Sequence, residues 1–366
     1  METTTKGRLQ SLDTLRGFDM FFIMGGDAMF WTLGALLPGT VFETWAGQMG
    51  HAAWDGFTFT DLIFPLFLFM AGVSFPFSVA KQRSAGKTDG EICRRIVRRG
   101  LTLVLLGVVY NGLLQFRFDE LRYASVLGRI GLAWMFAALL SVFLNRRNLA
   151  LCGVALLLGY WILLAAFPAM PGGAYTMEGS LAGQIDRLLL PGRLHLGTHD
   201  PEGLLSTLPA VTTAILGILT GGYIRSARSG SGHRTALAMG IAAVALLAVG
   251  WIWDGAMPVN KNLWTSSFVC VAGGLSVGLF ALFYWVIDVL GWKRWTFFFR
   301  IIGVNSITIY LAQVFIDFNA TSTAIFGGTI RLFPENMHYL LSTIGYITVC
   351  WLFLYILYRN RIFLKV

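Results

Sequence analysis

The stretch MGHAAWDGFTFTDLIFPLFLFMAGVSF, residues 49–75, runs from a short polar loop straight into a long apolar segment. From Leu62 it carries no charge until Lys81, which is the kind of run a helix needs to cross a hydrocarbon core. A transmembrane helix is expected over 57–80, with His51, Trp54, Asp55 and Asp61 gathered at its mouth. A titratable group at the edge of a membrane span is expensive to keep and usually faces a cavity or a partner. Imidazole is also the side chain whose ordinary pKa suits proton transfer near neutral pH. His51 is therefore the first candidate for chemistry.

The rest of the chain repeats the apolar pattern. Of its 366 residues 56% are hydrophobic and 13% charged, with a mean hydropathy of +0.66. A soluble domain carries about a quarter charged residues, so this is an integral membrane protein. We read it as all-α, a polytopic membrane helical bundle forming one domain over 1–366. Spans are expected at 15–37, 57–80, 100–116, 125–144, 149–167, 206–224, 235–253, 264–289, 297–316 and 337–358, about ten in all. The polar opening METTTKGRLQSLDTLRG, with no small-residue cleavage site close behind the first apolar run, is not expected to be a cleavable signal peptide. Cys93, Cys152, Cys270 and Cys350 are scattered without redox or metal spacing, so free thiols and no metal site are expected.

The charges choose the orientation. One set of loops holds Lys6, Arg8, the seven basic residues between Lys81 and Arg99, Arg146, Arg147, Arg225, Arg228, Arg234, Lys293, Arg294, Arg359, Arg361 and Lys365. The opposite set holds only Arg117, Arg122, Arg187, Arg193, Lys261 and Arg331. The positive-inside rule then puts both termini in the cytoplasm. The net charge of +9 is mostly membrane topology, and no nucleic-acid partner is implied. This orientation sets His51, the 168–205 loop and the VNKN segment at 259–262 on the outer face. Carboxylates gather there too, Asp55, Asp200 and Glu202 among them. They suit a cationic or polyhydroxylated ligand, although outer loops poor in Lys and Arg look acidic by default.

Three ionisable groups lie deeper: Asp27 in the first span, Asp61 in the second and Arg129 in the fourth. Asp27 follows Gly25 and Gly26, which let a neighbouring helix or a ligand approach the backbone closely. Interhelical ion pairs are the alternative account of all three. No Gly-rich phosphate loop, nucleophile elbow or Cys/His cluster appears, so any chemistry rests on His, carboxylates, Asn and Arg.

Four passages in order go beyond pattern: RLQSLDTLRGFDMFFIMGGDA, HAAWDGFTFTDLIFPLFLFMAGVS, HDPEGLLSTLPAVTTAILGILTGGYI, and VNKNLWTSSFV followed by GVNSITIYLAQVF. Together they resemble the heparan-α-glucosaminide N-acetyltransferase family of transmembrane acyltransferases, from about residue 8 to about 316. The resemblance implies that acetyl-CoA arrives from the cytosol as acetyl donor and a terminal glucosamine amine waits on the far side. It implies a homodimer and no metal. The family's catalytic histidine, in its H-x-x-W-x-G passage, matches His51. An asparagine late in the family's first span matches Asp27, and an aspartate there adds a charge that asparagine lacks. The family's lysosomal member carries a lumenal domain and one more span ahead of this core, neither expected here, so a bacterial inner membrane is the expected setting.

The residue roles follow as expectations. His51 takes the proton from the ammonium form of the acceptor or carries the acetyl group itself, with Asp27 or Asp55 fixing its tautomer. Trp54, Asp55, Asp200, Glu202, Lys261 and Asn262 are expected around the acceptor, and Asp61, Arg129 and Asn305 around acetyl-CoA. Asn262 and Asn305 are candidate oxyanion donors. The basic 81–99 loop is either a mouth for the CoA phosphates or the positive-inside signal alone. An amino-sugar transporter and an O-acetyltransferase of envelope polysaccharide are the competing readings.

Overall fold

A computed structural model describes residues 9–167, 173–195, 197–227 and 230–364. Lys6, Arg8, Arg228 and Lys365, used above to orient the chain, lie outside the described residues. The fold is helical, and among the described residues the extended pairing is a lone antiparallel bridge between Arg122 and Gly192. The chain divides into two compact units. One comprises Met1–His51, Thr58–Ile63 and Leu282–Lys365; the other comprises Ala52–Phe57, Phe64–Ala281 and Val366.

The first unit begins with α1 (Gln10–Phe21), which passes through a π-helical turn, Phe22–Gly26, into α2 (Asp27–Leu36). Gly25 sits in that turn with φ 111°, a conformation open to glycine and strained for other residues. Asp27 opens α2 directly behind the break. The helix α3 (Val41–Gly47) is capped by the Thr40 hydroxyl and packs on α2. After Leu282 come a π-helical turn, Tyr284–Val289, then α12 (Thr296–Val304), α13 (Ser306–Phe315), α14 (Phe318–Ile330) and α15 (Glu335–Arg359). The helices α1 and α12 touch backbone to backbone. A Cβ on Gly17 would lie 1.7 Å from the Phe299 carbonyl oxygen, and one on Gly303 would lie 1.9 Å from that of Asp13. Asp288 accepts the Gln10 and Ser11 amides at 3.3 and 3.2 Å, which places an acid at the open N-terminus of α1.

The second unit holds most of α4 (Phe59–Ser84), α5 (Asp89–Tyr110), α6 (Val126–Phe143), α7 (Arg146–Ala166), α8 (Leu181–Leu189), α9 (Thr207–Ser226), α10 (Gly232–Asp254) and most of α11 (Ser266–Phe283). Its centre is α4, where Leu66, Leu68, Phe69, Met70 and Val73 are fully enclosed. The α4–α9 crossing is set by glycine. A Cβ on Gly72 would lie 2.3 Å from the Ala214 carbonyl, and those on Gly217 and Gly221 would lie 2.1 and 2.2 Å from the Phe69 and Val73 carbonyls. With little hydrophobic force between helices in lipid, such small-residue contacts carry the association.

Among the described residues, seven helices are long and apolar enough to cross a membrane: α4, α6, α7, α9, α10, α11 with its π extension, and α15. The pair α12 and α13, bent by 68°, would be an eighth. Ten spans were expected from the apolar runs, and the two remaining ones depart for identifiable reasons. The first is interrupted at Gly25. The third, expected at 100–116, is a helix over Asp89–Tyr110 whose first half carries Arg94, Arg95, Arg98 and Arg99. The capping box of Thr88 and Glu91 starts it inside the expected basic loop, and Gly112 at φ 105° ends the regular winding early.

The glycine crossing yields a stability test. Gly217→Val drives a branched side chain into the Phe69 carbonyl and is expected to destabilise the fold by about 3 kcal/mol. Gly240→Val, on a helix position with nothing within 4 Å of the new Cβ, is expected to change it little. Thermal unfolding in detergent compares the two.

Candidate functional site

In the first unit, local sequence builds the corner around His51. Asp61 is the third residue of α4, and the Thr58 amide donates to its Oδ2 at 3.1 Å. That is the return half of a capping box, written in the sequence as Thr58-Phe-Thr-Asp61. The Thr58 hydroxyl lies 3.0 Å from the same oxygen and donates to the Gly50 carbonyl at 2.7 Å. The other carboxylate oxygen lies 2.8 Å from His51 Nδ1. The Asp61 side chain is 1% exposed, whereas that of His51 is 58% exposed.

The chemistry follows from who can donate. A carboxylate only accepts, so the bond at 2.8 Å puts the imidazole proton on Nδ1 and makes Nε2 the accepting nitrogen of the ring. The result is a proton acceptor on an open ring, held in one tautomer by an enclosed anion. The orienting carboxylate was expected to be Asp27 or Asp55; it is Asp61, which was expected in the donor site. Helix capping had already fixed Asp61 in place, and only folding of the 49–61 turn brings His51 onto it. Asp27 accepts the Ala28 amide at 2.7 Å, serving the start of α2. Thr58 was not anticipated, although the T-x-x-D spacing was there to be read.

The 52–57 segment belongs to the second unit, where it is tied to two other loops. Asp55 accepts from Asn260 Nδ2 at 3.1 Å, and the Gly56 amide donates to the Val259 carbonyl at 2.8 Å. The Trp54 indole donates to the Tyr175 carbonyl at 2.8 Å, with its ring edge-on to His199 at 5.1 Å. Lys261 and Asn262 lie in the turn that leads to Trp264. That tryptophan is fully buried at φ 51°, a strained conformation for a bulky residue. Its ring packs against Phe64 and Phe268, with the Arg129 guanidinium 5.0 Å from its centroid.

Asp200 and Glu202, expected around the acceptor, are both held by Arg122. Arg122 grips Asp200 with two bonds, Nε at 2.7 Å and Nη2 at 2.6 Å, and also bonds Glu202. The His195 and Glu202 amides donate to the same Asp200 carboxylate at 3.1 and 3.0 Å. With its acceptor positions filled and its side chain buried, Asp200 holds the loop together, and no lone pair is left over for a sugar hydroxyl. Arg122, absent from the expected site, is what converts two apparent ligand-reading acids into an ion pair. Arg129, one turn into α6, donates to the Gly203 carbonyl at 3.0 Å and to the Ser206 hydroxyl. Asn305 lies in the first unit, buried between α12 and α13.

Charges in this loop assembly pull pKa values apart. Burial pushes the Asp186 carboxyl up to about 6, although the Leu204 and Asp200 amides donate to it. Burial also acts to raise Asp200, but its bonds to Arg122 outweigh that and hold it below the usual carboxylate range. The His199 imidazole is lowered, chiefly by burial.

Because Asp186 binds its proton more tightly when folded, its contribution to stability is complete below pH 4 and is lost as pH rises through about 6. The span from 3.8 to about 6 corresponds to roughly 3 kcal/mol. Asp186→Asn is therefore expected to flatten the fall in unfolding temperature between pH 4 and 7. Scanning calorimetry of wild type and variant across that range reads the effect.

Residues 8–113, which include the His51–Asp61 corner, match the family model described as "Domain of unknown function (DUF5009)". The chain is 27% identical over 422 residues to heparan-alpha-glucosaminide N-acetyltransferase of Homo sapiens, covering 98% of this chain and 60% of that protein. It is 26% identical over 427 residues to the Mus musculus enzyme of the same name, covering 99% and 61%. The chain thus spans about three fifths of the length of the curated relatives it matches. Along nearly its whole length the chain is similar to these two heparan-alpha-glucosaminide N-acetyltransferases.

Proposed function

We propose that this multi-pass membrane protein is an acetyltransferase that moves an acetyl group from cytosolic acetyl-CoA to the amine of a glucosamine, free or terminal in a glycan. The observation that carries the reading is the bond between His51 Nδ1 and the enclosed Asp61 carboxylate, within a chain homologous to N-acetyltransferases over nearly its full length. Acetyl-CoA does not cross lipid and is not regenerated outside the cell. A membrane-embedded transferase lets an outer acceptor use it. The inner membrane of a bacterium, with the acceptor in the periplasm, is the setting that fits, and a homodimer is the assembly we infer from the family.

An amino-sugar acceptor is an ammonium ion near neutral pH and has no nucleophilic lone pair until it loses a proton. That first proton goes to water; His51 Nε2 takes the second, released as the amine attacks, and Asp61 keeps the ring in the accepting tautomer and stabilises the imidazolium that forms. The amine attacks the thioester carbonyl carbon, the C–S bond breaks, and the CoA thiolate collects a proton. His51 thus serves as base first and as acid afterwards. The 58% exposure of the His51 side chain leaves room for an acceptor to approach Nε2.

The test uses the purified full chain in detergent, with radiolabelled acetyl-CoA and glucosamine. Label is expected in N-acetylglucosamine, while label that stays on CoA would reject the enzyme reading. His51→Ala is expected to abolish transfer. Asp61→Asn, which keeps the shape but loses the anion, is expected to lower kcat by roughly 10³-fold. Wild-type turnover in either variant removes the pair from the mechanism.

A further inference from the structure

In the first unit, the bent pair α12 and α13 turns by 68° at Asn305, midway along a segment apolar enough to span a membrane. Asn305 is 2% exposed, and neither its carboxamide nitrogen nor its carboxamide oxygen has a hydrogen-bond partner. The residue occupies the N-cap position of α13, where asparagine ordinarily bonds the first-turn amides, yet its side chain forms no cap. The backbone at Asn305 has φ −124° and ψ 26°, away from the extended geometry usual for a cap. One turn further on, the buried Thr308 hydroxyl also lacks a partner.

These groups share one location. The first turn of α13 opens on amide N–H groups that have no acceptor within their own helix. They are the positive end of the helix dipole. Beside them lie a carboxamide N–H₂ and a hydroxyl, both enclosed and both without partners. An orphaned buried polar group costs on the order of 1–3 kcal/mol, and hydrocarbon offers no water to offset that cost. Broken membrane helices persist where the break lines a site, with half-helix N-termini directed at the electron-rich atoms of the ligand. The donors at this break suit an oxygen that carries or acquires negative charge.

We propose that Asn305, with Thr308 and the first amides of α13, is the oxyanion hole of the transfer reaction and binds the thioester carbonyl oxygen of the acyl donor. This rests on the acetyltransferase reading above. As the amine nitrogen bonds to the carbonyl carbon, the C=O π electrons move onto oxygen, and the proton leaves the amine for His51 Nε2. The Asn305 N–H₂ and the α13 amides hold that oxyanion. When the carbonyl re-forms, the C–S bond breaks with its electron pair on sulfur, and the thiolate takes the proton held by His51. Every atom and charge is accounted for by donor, acceptor and imidazole. The orphaned state of Asn305 is what such a hole requires before the donor binds, because its donors must not be engaged elsewhere.

The experiment measures steady-state transfer by the full-length protein, together with binding of a CoA thioether whose acetyl carbonyl is replaced by methylene. Asn305→Asp keeps the shape and an acceptor oxygen but removes the N–H₂ donor. It is expected to lower kcat by roughly 10²–10³-fold while leaving the dissociation constant of the thioether within about threefold and the unfolding temperature unchanged. Thr308→Val is expected to lower kcat about tenfold in the same pattern. If Asn305→Asp retains kcat within threefold, the oxyanion assignment is overturned and the transferase reading stands. Loss of thioether binding in parallel with kcat would make Asn305 a structural residue and also overturn the assignment. If the wild type transfers no acetyl group at all, the transferase reading fails and takes this assignment with it.

Discussion

A polar group surrounded by hydrocarbon must find its partners inside the protein, because lipid offers none. Asp61 shows how tightly that constraint binds this structure. Its carboxylate is shut away from solvent and accepts from the Thr58 amide and from the His51 ring, with the Thr58 hydroxyl 3.0 Å away. A capping box anchors the Thr58 contacts, so the anion stands in place before the imidazole meets it. The histidine then has little choice of tautomer. The imidazole is exposed to solvent while its counter-charge is enclosed and immobile.

The loops of the second unit answer the same constraint differently. Their acidic composition suggests a surface that reads a cationic or hydroxylated ligand. The fold gathers Asp200 and Glu202 onto Arg122 instead, and sets the Gly203 backbone against Asp186. Breaking such a pair from one side would strand a buried charge, so the assembly behaves as a rivet joining 122, 186 and 200–204. The acids left nearer the acceptor question are few. Asp55 is one, and it too is bonded, to Asn260.

The first unit contains two interruptions in otherwise apolar helices, at Gly25 and at Asn305. The two differ in kind. At Gly25 the backbone itself adopts a geometry that suits glycine, and the following helix restarts on Asp27. At Asn305 the backbone turns while a side chain that could repair the break stays unengaged. Interruptions of this type are retained in membranes only against protein or a water-filled cavity.

Much of this was open to inspection in the residues alone. Composition and uninterrupted apolar runs determine that the chain is a helical membrane protein, since no other arrangement satisfies twenty consecutive backbone amides in lipid. His51 stood out as a titratable group at a helix mouth, and the T-x-x-D spacing held the clue to Asp61. What the sequence could not decide was partnership. Apolar periodicity does not say which of Asp27, Asp55 or Asp61 meets the imidazole, since that depends on a turn closing over ten residues. Nor does it say that Arg122, 78 residues from Asp200, claims both acids of the DPEG segment. For a related reason, a run of apolar residues looks the same whether its helix is straight, interrupted at Gly25 or bent by 68° at Asn305. Local propensity sets which helices form; the tertiary structure alone settles which buried polar groups find partners and which do not.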